Sequence, residues 1–473
     1  MRFIFLLTAF ALILSACGPA PAAPTDSTVT TPPADPAADE AIAGPTLTLG
    51  DRTGATIQPL TGINIGPIPA GASTNADLTD AYHTAGITMI RTHDYYGPLD
   101  MATMYPDQSA DPHDPASFNF TESDKVFAAI LAGGFEPYLR LGDSWNNGRG
   151  YPAADPRAPT NLDNWVQAAV EVTRHYRAMA QQAGIAMRYV EIWNEPDNGK
   201  FWDASPQEFF MLFDETARAL KTEFPDLLVG GPGFAPSGAL SQKGIAFTRG
   251  LLDYARAHNT PLDFFSWHMY SNDPQDYFDA AQFYRAELDS RGFTSVPMHV
   301  TEWNTDARGR DQTVTPEEAR LGGRGAAILS AAWIALQQNG VTESMLYRGP
   351  DPAQDASTFY GIFRADGTPK RSALAFTLWS QFAQYAQAIH ITLSEPNGLW
   401  ILAGQNVNGE TAILFANPSD GPVSLTVLQP DDDPVHGVAR SEVSDASESI
   451  VNTVGGAQVQ VPAYSVVLVV IQP

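Results

Sequence analysis

Two glutamates, Glu195 and Glu302, each stand where an apolar run gives way to a turn, and each has a tryptophan and an asparagine beside it. In Tyr189-Val190-Glu191-Ile192-Trp193-Asn194-Glu195-Pro196-Asp197, Tyr189, Val190 and Ile192 suit a buried strand. Asn194 to Asp197 is turn chemistry, because Pro196 cannot donate to a sheet ladder. The stretch Val296-Pro297-Met298-His299-Val300-Thr301-Glu302-Trp303-Asn304-Thr305-Asp306 repeats the arrangement. Two carboxylates ending two strands are what glycoside hydrolysis requires: one carboxyl protonates the leaving oxygen, and another on the opposite face attacks the anomeric carbon or activates water. A lone glutamate at a strand end is ordinarily a solvated loop residue; the repeated context sets this pair apart.

The elements that must carry them alternate between strand and helix from Thr61 onward. Eight apolar runs are expected as strands: Gly62–Ile65, Ile87–Arg91, Glu136–Leu141, Arg188–Trp193, Leu227–Gly230, Asp263–His268, Met298–Glu302 and Ser344–Tyr347. Helical periodicity lies between them, most clearly over Leu162–Ala183, Pro206–Phe224, Pro316–Asn339 and Arg371–Ala388. Eight such pairs imply an α/β fold, a (β/α)8 TIM barrel, whose site lies at the C-terminal ends of the strands. Glu195 and Glu302 fall there, on the fourth and seventh runs. A doubly wound sheet is the alternative, but no Gly-rich phosphate loop follows the first strand. After about residue 389 short alternating strands with turn signals predict a C-terminal β-sandwich, to which residues near 46 to 58 are expected to add a strand. Asp431-Asp432-Asp433 reads as a solvated loop.

Trp-Asn-Glu-Pro at 193–196 and Thr-Glu-Trp-Asn at 301–304 resemble the acid/base and nucleophile strands of clan A retaining glycoside hydrolases. Within that clan the chain is most similar to family 39, the family of β-xylosidases and α-L-iduronidase. The resemblance covers residues 60–388 strongly and the C-terminal region weakly. It implies that Glu195 is the general acid/base, its pKa raised by burial and by its partner, and that Glu302 is the nucleophile, held ionised by nearby donors. It further implies that Asn194 contacts the sugar 2-hydroxyl, that Tyr270 donates to Glu302, and that His268 binds the sugar or its neighbours. The last two lie in Asp263-Phe264-Phe265-Ser266-Trp267-His268-Met269-Tyr270, which is similar to the family's Asp-Phe-x-Ser-x-His-x-Tyr. Arg91-Thr92-His93 resembles its Arg-x-His, placing Arg91 beside Glu302 and His93 on a sugar hydroxyl. Trp303, Trp145 and Asp143 are further candidates for stacking or hydroxyl contacts. The chain departs from the family pattern at Arg188 and Val190, and at Leu346-Tyr347-Arg348-Gly349-Pro350-Asp351, then matches again over Tyr360–Lys370. The departure on the eighth strand leaves the sugar open, since that strand helps to form the subsite floor.

The remaining features narrow the class. A net charge of −26, from 27 basic and 53 acidic residues among 473, argues against nucleic acid or an anionic membrane surface as partner. No His, Cys, Asp or Glu grouping has metal-ligand spacing and no Gly-x-Ser-x-Gly elbow occurs, so neither metal nor cofactor is expected. The single cysteine, Cys17, follows a charged start and an apolar run in Leu14-Ser15-Ala16-Cys17. That run resembles a bacterial lipoprotein signal with Cys17 as the lipidated residue; an ordinary signal peptide is the alternative. The expected organisation is therefore a signal over 1–17, a Pro/Ala/Thr-rich tether over 18–45, a catalytic barrel over 46–388 and a sandwich over 389–473. The function expected is that of an exported, lipid-anchored retaining hydrolase of β-linked oligo- or polysaccharide, β-xylosidase-like. Two other readings are an endo-acting or transglycosylating hydrolase of exopolysaccharide or arabinan, and a non-catalytic glycan-binding lipoprotein.

Overall fold

The first strand, β1 (Thr46–Thr56), lies outside the barrel, which the next eight strands build. These are β2 (Gly62–Asn64), β3 (Met89–Arg91), β4 (Glu136–Leu141), β5 (Tyr189–Ile192), β6 (Leu228–Phe234), β7 (Phe264–Tyr270), β8 (Met298–Asn304) and β9 (Val341–Leu346). All neighbours pair parallel, and Gly62 opposite Met345 closes the ring between β2 and β9. The computed structural model describes residues 44–68, 76–93, 97–144, 157–306, 314–352 and 359–472, so the expected leader with Cys17, the tether up to residue 43, and Trp145 lie outside it. No helix of the described residues is long and apolar enough to cross a membrane.

Local chemistry sets the helix limits. The helix over Leu162–Ala183 starts where the Asn161 side chain accepts from the Asn164 amide and stops at Gly184 in the left-handed region. The helix over Pro206–Glu223 begins with a reciprocal Ser205/Glu208 capping box and proline in its first turn. Two expected helices are shorter than their periodicity suggests. Pro316–Asn339 is two helices, Pro316–Arg320 and Gly323–Gln338, parted at Gly322. There a Cβ on Gly323 would stand 2.3 Å from the Tyr464 carbonyl, and one on Gly325 2.3 Å from that of Ala319, so only glycine permits the close turn. Arg371–Ala388 ends as helix at Phe382, and its last residues start a strand.

That strand, β10 (Gln387–Leu393), continues into β11 (Trp400–Gln405), β12 (Thr411–Asn417), β13 (Val423–Leu428), β14 (Val438–Val443), β15 (Val451–Gly455), β16 (Gln458–Val461) and β17 (Ser465–Ile471). With β1 they form one nine-stranded sheet in the order β15-β14-β17-β12-β11-β10-β1-β13-β16, which folds over so that β16 meets β12 and β17. Thr46–Thr56 thus belongs to this sheet and not to the barrel, paired between β10 and β13. Strand alternation divides the labour: Ala412, Leu414 and Ala416 join the barrel's core, while Ile413 and Phe415 face the sheet's own. Between the two lies Gly323–Gln338, apolar all round because it is covered on both sides.

Candidate active site

The turn after β5 is held in an uncommon backbone shape. Trp193 (φ 79°) and Glu195 (φ 49°) are both left-handed, a strain that persists only where surroundings enforce it. The enforcing contacts are visible. The Trp193 ring turns away from the barrel mouth to pack on Trp165 and Trp202, its Nε1 donating to the Phe201 carbonyl at 3.1 Å. The Glu195 amide donates to the Gly233 carbonyl at 2.8 Å. Asp197 accepts from the Ala235 amide at 2.9 Å and from the Ser237 hydroxyl, which ties the turn to the end of β6. The Glu195 carboxyl is left at the mouth, 9% exposed, with Oε1 at 3.0 Å from His268 Nδ1 and Oε2 accepting from Asn198 Nδ2 at 2.9 Å.

Glu302 arrives from β8 through a register shift. Trp267 pairs with Val300 but His268 pairs with Glu302, so Thr301 is an extra residue on β8. Such a bulge breaks the alternation, and here both Thr301 and Glu302 face the barrel interior. Tyr270 donates to Glu302 Oε1 at 2.5 Å; Arg91 Nη1 lies 3.4 Å and His93 Nε2 3.3 Å from Oε2. Carboxylate oxygens of Glu195 and Glu302 and a ring nitrogen of His268 all lie within 4.8 Å of one another. Among the described residues this is the grouping compact enough to hold a metal ion, and the guanidinium of Arg91 already supplies positive charge beside it.

Burial governs the ionisation of these groups. It raises the Glu302 carboxyl above the usual range, with the Glu195 charge adding to the effect and His268, Arg91 and the Tyr270 hydrogen bond opposing it. The expected donors are therefore present, yet desolvation outweighs them. Burial, then the Glu302 charge, pushes Tyr270 well above the ordinary phenol range and keeps it a donor. Burial lowers His268 to about 4 and His93 well below the usual imidazole value, so both rings are neutral at pH 7.

The site opens into a cavity of about 800 Å³, lined by His93, Glu195, Asp197, Glu302, Tyr347 and Tyr360 among others. Three buried side-chain nitrogens of the site have no hydrogen-bond partner: Asn194 Nδ2, His93 Nδ1 and His268 Nε2, of which the last faces Gly233 rather than the cavity. Asn194 meanwhile accepts from Arg91 Nη2 through its Oδ1 at 2.9 Å. An unsatisfied buried amide donor such as Asn194 Nδ2 is costly unless an acceptor, such as a sugar hydroxyl, completes it.

The structure thus brings together Glu195, Glu302, Asn194, Arg91, His93, His268 and Tyr270. It does not bring Trp303. That side chain points outward on the strand, wholly buried against Trp333 (5.0 Å between ring centres) and Tyr277 (5.8 Å), and is core rather than a substrate platform. Asp143 accepts from the Ala102 amide at 2.9 Å and so helps to fix the loop after β4. Sequence reasoning missed Glu191, Asn64, Ser266 and Thr301, the buried polar groups beneath the pair. Their signal was a charged residue inside an apolar strand, once in Glu191 and once in Arg91, each needing a buried opposite charge.

The model of Glycosyl hydrolases family 39 matches residues 65–316. A β-xylosidase of Geobacillus stearothermophilus is 27% identical over 213 residues, 40% of this chain and 41% of that protein. One from Caldicellulosiruptor saccharolyticus is 26% identical over 214 residues, 41% of this chain and 42% of that protein. The matched part is therefore about two fifths of these relatives' length. Among solved structures, a glucosidase from Croceicoccus marinus superposes with a TM-score of 0.72 at 25% identity, covering 90% of this chain and 99% of that one. A family 39 β-xylosidase from Caulobacter crescentus, at 19% identity and a TM-score of 0.67 over 91% of this chain and 99% of that one, shares the fold.

Proposed function

This chain belongs to glycosyl hydrolase family 39, and on that premise we propose that it is a retaining glycosidase acting on β-linked glycosides of the xyloside type. The observation that supports the mechanism is the separation of the pair: oxygens of Glu195 and Glu302 within 4.8 Å. Retaining enzymes hold their carboxyls at ~5–5.5 Å, whereas inverting enzymes need ~6.5–9.5 Å to seat a water between them.

In the first step Glu195 gives its proton to the glycosidic oxygen as the bond to the anomeric carbon breaks, and Glu302 attacks that carbon to form a glycosyl ester. In the second, water attacks the same carbon from the side the aglycone left, Glu195 takes its proton, and Glu302 departs as carboxylate. Tyr270 and Arg91 steady the Glu302 charge at the start and end of the cycle. Asn194 Nδ2 is free to donate to a sugar hydroxyl, a contact that strengthens as positive charge develops on the ring. The site is carried outside the cell on a lipid attached to Cys17, with the Pro/Ala/Thr-rich segment as spacer. NMR of the first-formed sugar from a panel of aryl glycosides tests this reading. It expects the β-anomer from a β-xyloside; release of the α-anomer, or full turnover by Glu302→Gln, would refute it.

A further inference from the structure

We infer that Glu191 is a positioning residue that shares Arg91 with the nucleophile, so that the guanidinium orients Glu302 without neutralising it; this rests on the glycosidase reading above. Glu191 on β5 and Arg91 on β3 are both wholly buried and meet inside the barrel across β4. Arg91 Nε meets Glu191 Oε2 at 2.6 Å, while its Nη1 stands 3.4 Å from Glu302 Oε2. The close ion pair of the barrel floor is therefore the one with Glu191. The other Glu191 oxygen accepts from Ser266 Oγ at 2.6 Å and Thr301 Oγ1 at 2.7 Å, so all its close contacts are donors, as a carboxylate requires.

The network reaches both reacting carboxyls. Through Arg91 it touches Glu302 and, by Nη2 at 2.9 Å, the Asn194 oxygen; Nη1 is also steadied by Asn64 Oδ1 at 3.1 Å. Through Ser266, whose Oγ accepts from the Gly233 amide at 2.8 Å, it touches the residue whose carbonyl holds the Glu195 amide. In a low-dielectric interior the negative charge of Glu191 offsets the Arg91 cation at Glu302; without Glu191 the uncompensated cation would lower the basicity of Glu302 and make it a poorer nucleophile. The other titratable or charged groups around the pair are Tyr138 and Arg140 on β4, the latter paired with Asp100 at 2.8 Å, His268 and Tyr270 on β7, His93 after β3, and Glu195 and Asp197 after β5. Burial keeps the phenols protonated and the imidazoles neutral, and at 2.6 Å against 3.4 Å the Glu191 carboxyl, not that of Glu302, is the close partner of Arg91.

The test is the pH profile of kcat/KM for Glu191→Gln against wild type on an aryl β-xyloside, or on whichever glycoside the wild type hydrolyses. Removing one negative charge should move the acid limb down by about one pH unit and lower the rate at the optimum by roughly tenfold or more. A residue that only packs would lower the rate without moving the limb. An acid limb that stays in place or rises, in a variant with wild-type circular dichroism, overturns the inference alone. A wild type that cleaves no glycoside of the panel sinks the glycosidase reading and this inference with it. If Glu191→Gln does not fold, Glu191→Asp decides: it keeps the charge, so its acid limb should stay within about 0.3 pH unit of wild type, and a move of a full pH unit would be contrary evidence.

Discussion

The phenol of Tyr270 donates to Oε1 of Glu302 across 2.5 Å, a short charge-assisted hydrogen bond between neighbouring strands of the barrel. It is one of the contacts that hold Glu302 ionised against burial, which pushes the other way. Tyr270→Phe should therefore move the acid limb of kcat/KM upward, the opposite of Glu191→Gln. It should also lower kcat/KM by roughly 10- to 100-fold, the worth of a hydrogen bond to a charged group. Opposite displacements in the two variants, measured on one substrate, would trace both effects to the charge of Glu302.

Two buried imidazoles predict acid lability. His268 is lowered to about 4 and His299 to about 3 by burial, against 6.5 in an unfolded chain. Between those values the unfolded chain binds more protons than the folded one, so stability is full above pH 6.5 and declines as pH falls toward 4. A tenfold difference in proton affinity between the two states is worth ~1.4 kcal/mol, and a Tm lower by about 4 °C or more at pH 4.5 than at pH 7 is expected. His299→Gln lies at the far end of the barrel from the mouth, hydrogen-bonded to Tyr138, and should flatten that decline.

Much of this architecture was readable from residue types, and the limits of that reading are physical. The barrel strands announce themselves because parallel strands buried on both faces are near-continuous apolar runs, as in Phe264-Phe265. The helix Leu162–Ala183 announces itself through its caps. Bulges do not: nothing in Val300-Thr301-Glu302 reveals that Thr301 is the extra residue, so strict alternation misplaces what lies beside Glu302. Pairing between distant strands is equally hidden, which is why β1 was open to assignment either to the barrel or to the sheet and why Glu191 and Arg91 were not joined.

Trp303 separates a core role from a substrate role. Its ring fills space between β8 and the helix Gly323–Gln338 and makes edge-to-face contact with Trp333 and Tyr277. Trp303→Ala should lower unfolding free energy by about 3–5 kcal/mol, the usual cost of emptying an aromatic site in a core. Trp303→Phe should cost less and leave KM for a monosaccharide glycoside within about twofold of wild type. A KM raised tenfold with unchanged Tm would mean that the ring meets the sugar after all.

Gly233 stands at φ +63°, and a Cβ there would lie 2.9 Å from His268 Nε2 and 3.3 Å from Glu191 Oε1. Alanine at this position would press on the ring that contacts Glu195 and on the carboxylate that balances Arg91, besides adding ~1–2 kcal/mol of left-handed backbone strain. Gly233→Ala should lose activity roughly tenfold or more while Tm falls by only a few degrees. Equal loss in both measurements would indicate general unfolding instead.

Asp197 gives the clearest trade between stability and chemistry. Burial raises its carboxyl to about 6, and the Glu195 charge contributes in the same direction, while hydrogen bonds from Ser237 and Ala235 oppose it. A folded-state value above the unfolded 3.8 means the neutral form is favoured: the stabilisation is present below pH 3.8 and is lost as pH rises through about 6. At pH 8 the folded protein therefore carries an ionised group in a site that disfavours it, at a cost on the order of 1–3 kcal/mol. Asp197→Asn keeps the shape and can still accept from the Ala235 amide, so Tm at pH 8 should rise while Tm at pH 4 should not. The same substitution removes a negative charge beside Glu195, which loses its proton more readily as a result. The alkaline limb of kcat/KM should move to lower pH by about half a pH unit, narrowing the active range from above. A variant with higher Tm at pH 8 and an unmoved alkaline limb would show that Asp197 pins the turn without acting on Glu195.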